Sequence, residues 1–165
     1  MGRDLLSNGN ALKVLITGMS GTGKSTALAT LAERGHRVVD TDTDEWSHWV
    51  HLPDGSRDWI WSEEAMTGLL TEHQQGKLFV AGCTSNQGKF YSFFDHVVLF
   101  SAPTDVILIR VAERKNNRYG KSHGERDLIL RHIMGVEPLL RTAATAEIDA
   151  SAPLVDVVRQ LEQLA

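Results

Sequence analysis

The sequence lacks the features that mark secreted, membrane-embedded or nucleic-acid-binding proteins. It has a single cysteine, Cys83, so no disulfide can form within the chain, which is typical of a reducing compartment. No apolar run approaches the length of a membrane span, and the first residues lack the apolar core of a signal peptide. The net charge of −4 provides no general attraction for nucleic acid. We therefore expect a cytoplasmic monomer or homodimer without nucleic-acid or membrane partners.

Internal repeats, low-complexity tracts and linker-like segments are also missing. The seven histidines show no spacing typical of a metal site. With 165 residues, 42% of them hydrophobic, the chain is long enough to bury a substantial core. We therefore expect one domain over 1–165.

What the sequence does contain is a glycine-rich phosphate-binding loop. Residues 18–26 read Gly-Met-Ser-Gly-Thr-Gly-Lys-Ser-Thr and follow an apolar strand segment at 14–16. The glycines let backbone N–H groups approach a phosphate, Lys24 reaches the β- and γ-phosphates, and the Ser25 hydroxyl can join the shell of a Mg²⁺ ion. The next helix directs its positive N-terminus at the same anion. We predict that ATP or another nucleoside triphosphate, with Mg²⁺, binds to Gly18, Met19, Ser20, Gly21, Thr22, Gly23, Lys24, Ser25 and Thr26.

Strands and helices alternate along the chain. Apolar and periodic patterns predict strands over 12–17, 36–40, 78–82, 96–101 and 146–149, and helices over 25–34, 59–75, 103–115, 125–141 (interrupted near Gly135 and Pro138) and from Pro153 onward. A polar, Trp-rich stretch, 41–58, leads into the helix at 59. Because strands separated by helices pair in parallel, we expect an α/β fold, a doubly wound three-layer sandwich with a five-stranded parallel sheet. Its binding site is expected at the carboxyl ends of the strands.

This order of parts resembles the small P-loop kinases, the group of adenylate kinase, gluconate kinase and especially shikimate kinase. The best match outside the phosphate-binding loop is Val38-Val39-Asp40-Thr41-Asp42, because shikimate kinases have a strand ending in Asp-Ser/Thr-Asp. The resemblance implies that Asp40 holds Mg²⁺ through water and that Asp42 orients or deprotonates the acceptor hydroxyl. Independently of the family, alternate residues of a strand share a face, and Mg²⁺ prefers oxygen ligands. A solvated acidic turn is the alternative interpretation.

The resemblance also implies a mobile lid over about 114–126, where the sequence is loop-like and cationic. Arg114 matches a position that stacks on adenine in relatives. Arg118 is predicted to stabilise charge on the transferring phosphate, with Lys121 as a further candidate. A solvated surface loop is the alternative. By position alone, Ala152 and Pro153 are predicted to lie against the adenine edge.

The acceptor-binding region, about 41–75, departs from shikimate kinase. Its Phe-Arg-x-x-Glu pattern is replaced by Ile60-Trp61-Ser-Glu-Glu64, and Val136 stands where its late substrate arginine would be, so a carboxylate acceptor would lack charge-assisted partners. All four tryptophans lie in this region, and indoles can stack on rings or sugar C–H groups. Taken individually, Trp59 or Trp61 fits a core anchor better. We predict an acceptor site formed by Asp42, Trp46, Trp49, Trp61, Thr84 and Asn86.

These observations predict an ATP-dependent kinase that phosphorylates a hydroxyl of a neutral or cationic, ring-containing small molecule other than shikimate. Lys24, Asp42 and Arg118 are its predicted catalytic residues. One alternative is a nucleoside or nucleoside monophosphate kinase. In the monophosphate kinase, whose acceptor is itself a phosphate, we expect more acceptor-side arginines than Arg57. Another is an NTP-binding regulatory module or slow NTPase. The third strand ends without a Walker-B acid, in Val80-Ala-Gly-Cys83, which favours the kinase.

Overall fold

A parallel β-sheet forms the centre of the computed structural model, which describes residues 11–114 and 119–165. In chain order the strands are β1 (Leu12–Gly18), β2 (Arg37–Asp40), β3 (Ser47–His51), β4 (Arg57–Trp61), β5 (Lys77–Ala81), β6 (His96–Ser101) and β7 (Ala146–Asp149). The main sheet has the order β2-β5-β1-β6-β7, and each of its strand pairs is parallel. The predicted α/β fold with a five-stranded parallel sheet is therefore confirmed.

Helices cover both faces of this sheet. They are α1 (Lys24–Glu33), α2 (Glu63–Glu72), α3 (Thr104–Glu113), α4 (His123–Gly135), α5 (Glu137–Ala143) and α6 (Leu154–Glu162), with a 3₁₀ helix at Gln87–Phe93. Successive side chains of β1 point to opposite faces of the sheet and contribute to two hydrophobic cores. Val14 and Ile16 pack toward α1 and α6, whereas Leu15 packs toward α2 and the 3₁₀ helix; all three are fully buried.

The strand register brings the carboxyl ends of β1, β2 and β5 together. Ala81 lies beside both Ile16 of β1 and Asp40 of β2, and Gly18 lies beside Phe100 of β6. Loops that leave these strand ends must therefore meet at one edge of the sheet. This edge is where a doubly wound fold binds its ligand.

The segment between β2 and α2 differs from its prediction. The helix predicted over 59–75 begins only at Glu63, where the Ser62 hydroxyl accepts a hydrogen bond from the Ala65 N–H. Residues 47–61 instead form an antiparallel hairpin of β3 and β4. Its turn contains Gly55 at φ +89°, a left-handed conformation that favours glycine. Pairing of bulky aromatic residues across two strands stabilises such a hairpin more than the same residues would stabilise a helix.

The predicted helix over 125–141 is two helices. It breaks at Val136, which ends α4 and begins α5, and Pro138 lies in the first turn of α5. A proline is tolerated there because the first turn has no intrahelical partner for its missing N–H. Within 11–114 and 119–165, no helix is long and apolar enough to cross a membrane.

At the amino end of the sheet, Glu162 joins α6 to the segment that connects α1 with β2. Its carboxylate lies 2.7 Å from Arg34 and 2.7 Å from His36. Hydrogen bonds from Arg34 and then from His36 lower the pKa of Glu162 to about 2. This ion-pair cluster lies at the opposite end of the strands from the edge where the loops meet.

Candidate active site

One cavity, about 650 Å³ in volume, lies at the carboxyl edge of the sheet. All nine residues of the phosphate-binding loop, 18–26, line it. The remainder of the wall comes from the ends of β2, β5, β6 and β7, from the hairpin, and from α3, α4 and α6. Its size suits a nucleotide together with a small second molecule.

The phosphate-binding loop takes a conformation that its glycines permit. Gly21 has φ +86°, and a Cβ at this position would lie 2.7 Å from the Val111 side chain. Gly23 has φ +92° and caps the N-terminus of α1. Across the loop, the Thr22 hydroxyl donates a hydrogen bond to the Met19 carbonyl at 2.8 Å. Only glycine at position 21 satisfies both the left-handed backbone and the close approach of α3.

Lys24 points back into the loop from the first turn of α1. Its Nζ donates hydrogen bonds to the carbonyls of Gly18 and Met19, the latter at 3.0 Å. Burial lowers the pKa of the Lys24 ammonium, since desolvation disfavours the charged form. A phosphate would replace the carbonyl partners and offset this penalty, because an anion favours the ammonium ion.

Ser25 and Asp40 form a pair of oxygen donors beside the loop. The Ser25 hydroxyl donates to Asp40 Oδ2 at 3.1 Å, although the two residues come from α1 and β2. Asp40 Oδ1 also accepts the Asp42 N–H at 3.1 Å, which fixes the carboxylate. In the described part of the chain, no three His, Cys, Asp or Glu side chains are grouped to hold a metal. The oxygen donors of Ser25 and Asp40 are of the type that Mg²⁺ prefers, and this ion needs few carboxylates when phosphates and waters supply the other ligands.

Asp42 lines the same cavity and forms a hydrogen bond with a tryptophan. Its Oδ1 accepts a hydrogen bond from the Trp59 indole Nε1–H at 2.9 Å, and both residues line the cavity. Asp40 and Asp42 thus have different hydrogen-bond partners. Asp40 accepts from the Ser25 hydroxyl of α1, whereas Asp42 accepts from the Trp59 indole of the hairpin. Side chains alternate between the two faces of β4, so those of Trp59 and Trp61 lie on the same face of the strand. The side chain of Trp59 lies on this face at the cavity.

The three predicted acceptor-site tryptophans lie outside the cavity. Trp61 is fully buried in the core, and its Nε1–H donates to the Thr41 hydroxyl at 2.9 Å. Trp46 is partly buried against the same core. Trp49 lies on the hairpin with 53% of its surface exposed, and its ring centroid is 5.1 Å from that of Trp59. The structure therefore brings Trp59, which was not among the predicted acceptor-site residues, to the cavity instead.

Of the two predicted polar residues after β5, only Thr84 lines the cavity, together with Cys83. The side chain of Asn86 is used to anchor the hairpin. Its Oδ1 accepts the Trp61 N–H at 3.1 Å and its Nδ2 donates to the Trp61 carbonyl at 3.0 Å. Asn86 therefore holds the backbone of β4 and does not line the cavity.

Two arginines one helical turn apart line the opposite part of the cavity. Arg110 extends from α3 to within 3.5 Å of the Thr22 carbonyl. Arg114, at the end of α3, donates to the Ser20 hydroxyl at 3.3 Å and to the Tyr119 carbonyl. Burial lowers the pKa of the Arg114 guanidinium. Arg110 was not among the predicted site residues, although the i, i+4 spacing of the two arginines places both on one helix face.

The remaining predicted nucleotide contacts lie partly in the cavity. Ala152 lines it, whereas Pro153 caps α6 next to it without lining it. His132 of α4 and Leu154 of α6 are cavity residues that were not predicted. Arg118, the predicted third catalytic residue, lies outside the described residues, as does part of the predicted lid.

Comparisons with known proteins identify the family and the fold of this chain. A family model described as an AAA domain matches residues 14–131. No curated protein matches the chain. Shikimate kinase from Acinetobacter baumannii, solved in complex with shikimate, is 19% identical with a TM-score of 0.62, over 96% of this chain and 94% of that one.

Two further solved structures show the same likeness. Shikimate kinase from Bacteroides thetaiotaomicron is 18% identical with a TM-score of 0.64, over 92% of this chain and 97% of that one. A gluconokinase from Sinorhizobium meliloti 1021 is 16% identical with a TM-score of 0.53, over 90% and 88%. At these identities the likeness shows a shared fold, that of the small P-loop kinases.

Proposed function

The chain belongs to the AAA domain family, and on that premise we propose that it is an ATP-dependent kinase for a small-molecule hydroxyl. The proposal rests on the observation that two carboxylates line one cavity and have different hydrogen-bond partners. Asp40 bonds to the Ser25 hydroxyl at the phosphate-binding loop, whereas Asp42 lines the same cavity beside Trp59. A kinase needs both a metal-holding oxygen pair and a group that orients the acceptor.

In this proposal the acceptor oxygen attacks the γ-phosphorus of ATP. A new P–O bond forms, the bond to the β–γ bridging oxygen breaks, and ADP leaves with that electron pair. Asp42 receives the proton of the acceptor hydroxyl, and the Lys24 ammonium stabilises the negative charge on the β- and γ-phosphates. When bound by Ser25 and Asp40, Mg²⁺ would neutralise charge on the phosphate oxygens.

The charges of the cavity favour a neutral or cationic acceptor. Among the described cavity residues, the hairpin and the loop after β5 contribute no cationic side chain, whereas Asp42 is acidic. The arginines Arg110 and Arg114 approach the phosphate-binding loop from α3 instead. The indole of Trp59 offers an apolar wall for a ring. We therefore propose a ring-containing alcohol or amino alcohol, such as a nucleoside or an aminosugar, and not shikimate.

A panel of acceptors tests this function. ADP formation should rise with one class of neutral or amine-bearing ring compound and should not rise with shikimate. Asp42→Asn should abolish the acceptor-dependent rate and leave nucleotide affinity within a few-fold, whereas Asp40→Asn should raise the Mg²⁺ concentration needed. ADP formation that no acceptor stimulates would favour a slow NTPase. Stimulation by nucleoside monophosphates would favour the nucleotide kinase.

Nucleotide binding can be measured before any acceptor is known. Cys83 is the only cysteine, is exposed, and lines the cavity. Mg·ADP or Mg·ATP should slow its alkylation by a maleimide, because the bound nucleotide fills part of the space in front of the thiol. Nucleotide should also raise the Tm by mass action. Unchanged labelling and an unchanged Tm at millimolar nucleotide would contradict the assignment of the cavity.

A further inference from the structure

The hydrogen bond between Trp59 and Asp42 restrains a carboxylate that would otherwise rotate freely. Asp42 lies just beyond β2, and its side chain is exposed. The Trp59 indole N–H at 2.9 Å is the hydrogen-bond partner of its carboxylate in the described part of the chain. An exposed aspartate without such a partner would populate several rotamers.

We propose that Trp59 is a positioning residue, which holds Asp42 Oδ1 so that Oδ2 faces the acceptor hydroxyl. This inference rests on the proposed function and deepens it. The indole Nε1–H is a donor only, so it can neither accept the proton of the acceptor nor exchange roles with the carboxylate. The proton that leaves the acceptor hydroxyl therefore goes to Oδ2, while Oδ1 keeps its bond to the indole.

The hairpin holds the indole of Trp59 from one side through tilted packing against a second indole. Trp59 is paired with Trp49 in the strand register, and their ring centroids are 5.1 Å apart. The Arg57 guanidinium lies 4.5 Å from the centroid of the Trp49 ring, a cation–π contact. Arg57, Trp49 and Trp59 thus form a continuous row of packed side chains on one hairpin face, which ends at the Asp42 carboxylate.

The same hairpin is fixed to the loop after β5, which carries other cavity residues. The two hydrogen bonds of Asn86 hold the backbone of Trp61, two residues from Trp59. The Ser85 hydroxyl also donates to Asp58 Oδ2 at 2.6 Å. Because both anchors flank Trp59 in β4, the indole is carried on a rigid element, as precise positioning of a reactive group requires.

Kinetics of Trp59→Phe, which keeps an aromatic ring but removes the N–H, test the role. We expect the acceptor-dependent kcat to fall about 10- to 100-fold, since small misplacement of a reacting group has effects of this size. Nucleotide Kd should stay within about twofold. An unchanged kcat, or a fall in kcat matched by an equal loss of nucleotide affinity, would overturn the inference.

An NMR measurement separates this inference from the proposed function. The chain has four indole N–H signals, and Trp59→Phe identifies one of them. Asp42→Ala should shift that signal, whereas Asp44→Ala should not, because Asp44 is an exposed carboxylate with no hydrogen bond among the described residues. A Trp59 signal that stays in place in Asp42→Ala would overturn the inference. A shifted signal in a protein that phosphorylates no acceptor would contradict the proposed function alone.

Discussion

Trp61→Phe should destabilise the protein without changing its affinity for a ligand. Trp61 is fully buried and packs against Phe90, with ring centroids 5.7 Å apart. Its indole N–H donates to the hydroxyl of Thr41, which is itself 1% exposed. The substitution keeps most of the ring contact but removes the donor, although the Thr41 hydroxyl still donates to the Ala81 carbonyl at 2.8 Å.

The magnitude follows from these two losses. Removing one neutral hydrogen bond between buried groups costs about 1 kcal/mol. The smaller ring leaves a void whose cost is about 1–2 kcal/mol, a fraction of the 3–5 kcal/mol typical of Trp→Ala. The sum is about 2–3 kcal/mol, and for a protein of this length each kcal/mol lowers the Tm by roughly 2–4 °C. The expected decrease in Tm is therefore roughly 4–12 °C.

Thermal unfolding of Trp61→Phe beside Trp49→Phe measures this effect. Trp49 lies on the same hairpin face but is 53% exposed, so its substitution should lower stability by no more than about 1 kcal/mol. Equal decreases in Tm for the two variants would refute the core role of Trp61. A changed acceptor KM with an unchanged Tm would show that Trp61 reaches the ligand.

Three further perturbations test other parts of the structure. Lys24→Ala should lower acceptor-dependent ADP formation by about 100-fold or more, because a preorganised charge on the phosphates is lost; a near-normal steady-state rate would contradict its role. Gly82→Ala should destabilise the protein, because the added Cβ would lie 2.3 Å from the Thr41 hydroxyl. Gly68→Ala, whose added Cβ would have no atom within 4 Å, should stabilise α2 by about 0.5–1 kcal/mol. Urea unfolding of both variants should therefore give changes of opposite sign, and equal changes would argue against the packing around Gly82. Glu162→Gln should lower the Tm near neutral pH and progressively lose this effect between pH 4.5 and about 2, because the ion-paired carboxylate has a folded-state pKa of about 2 against 4.5 ordinarily. A Tm difference that stays constant over that range would argue against the ion pairs.

Local patterns in the sequence predicted the fold and the phosphate-binding part of the site. The loop at 18–26 is contiguous, so its residue types and spacing already specify the geometry. The two-residue period of β2 likewise predicted that Asp40 and Asp42 reach the same edge. Their neighbours in space follow from the parallel topology, which the alternation of strands and helices indicates.

The hairpin side of the cavity could not be predicted in the same way because it depends on contacts between distant segments. Which indole faces the cavity is decided by the register of β3 with β4 and by the bonds of Asn86 to β4. A one-residue change in this pairing would exchange the faces of the whole strand. One local signal for the hairpin was present, namely Pro53-Asp54-Gly55 between two aromatic-rich segments, which is typical of a turn.

The most direct measurement of the central claim is ³¹P NMR of ATP incubated with the protein, Mg²⁺ and candidate acceptors. A kinase with this cavity should convert the γ-phosphorus signal of ATP into a phosphate monoester of a neutral or amine-bearing ring compound, in step with ADP. Asp42→Asn should show neither the ester nor acceptor-dependent ADP. Inorganic phosphate as the sole product with every acceptor, formed equally by the wild type and by Asp42→Asn, would contradict the account.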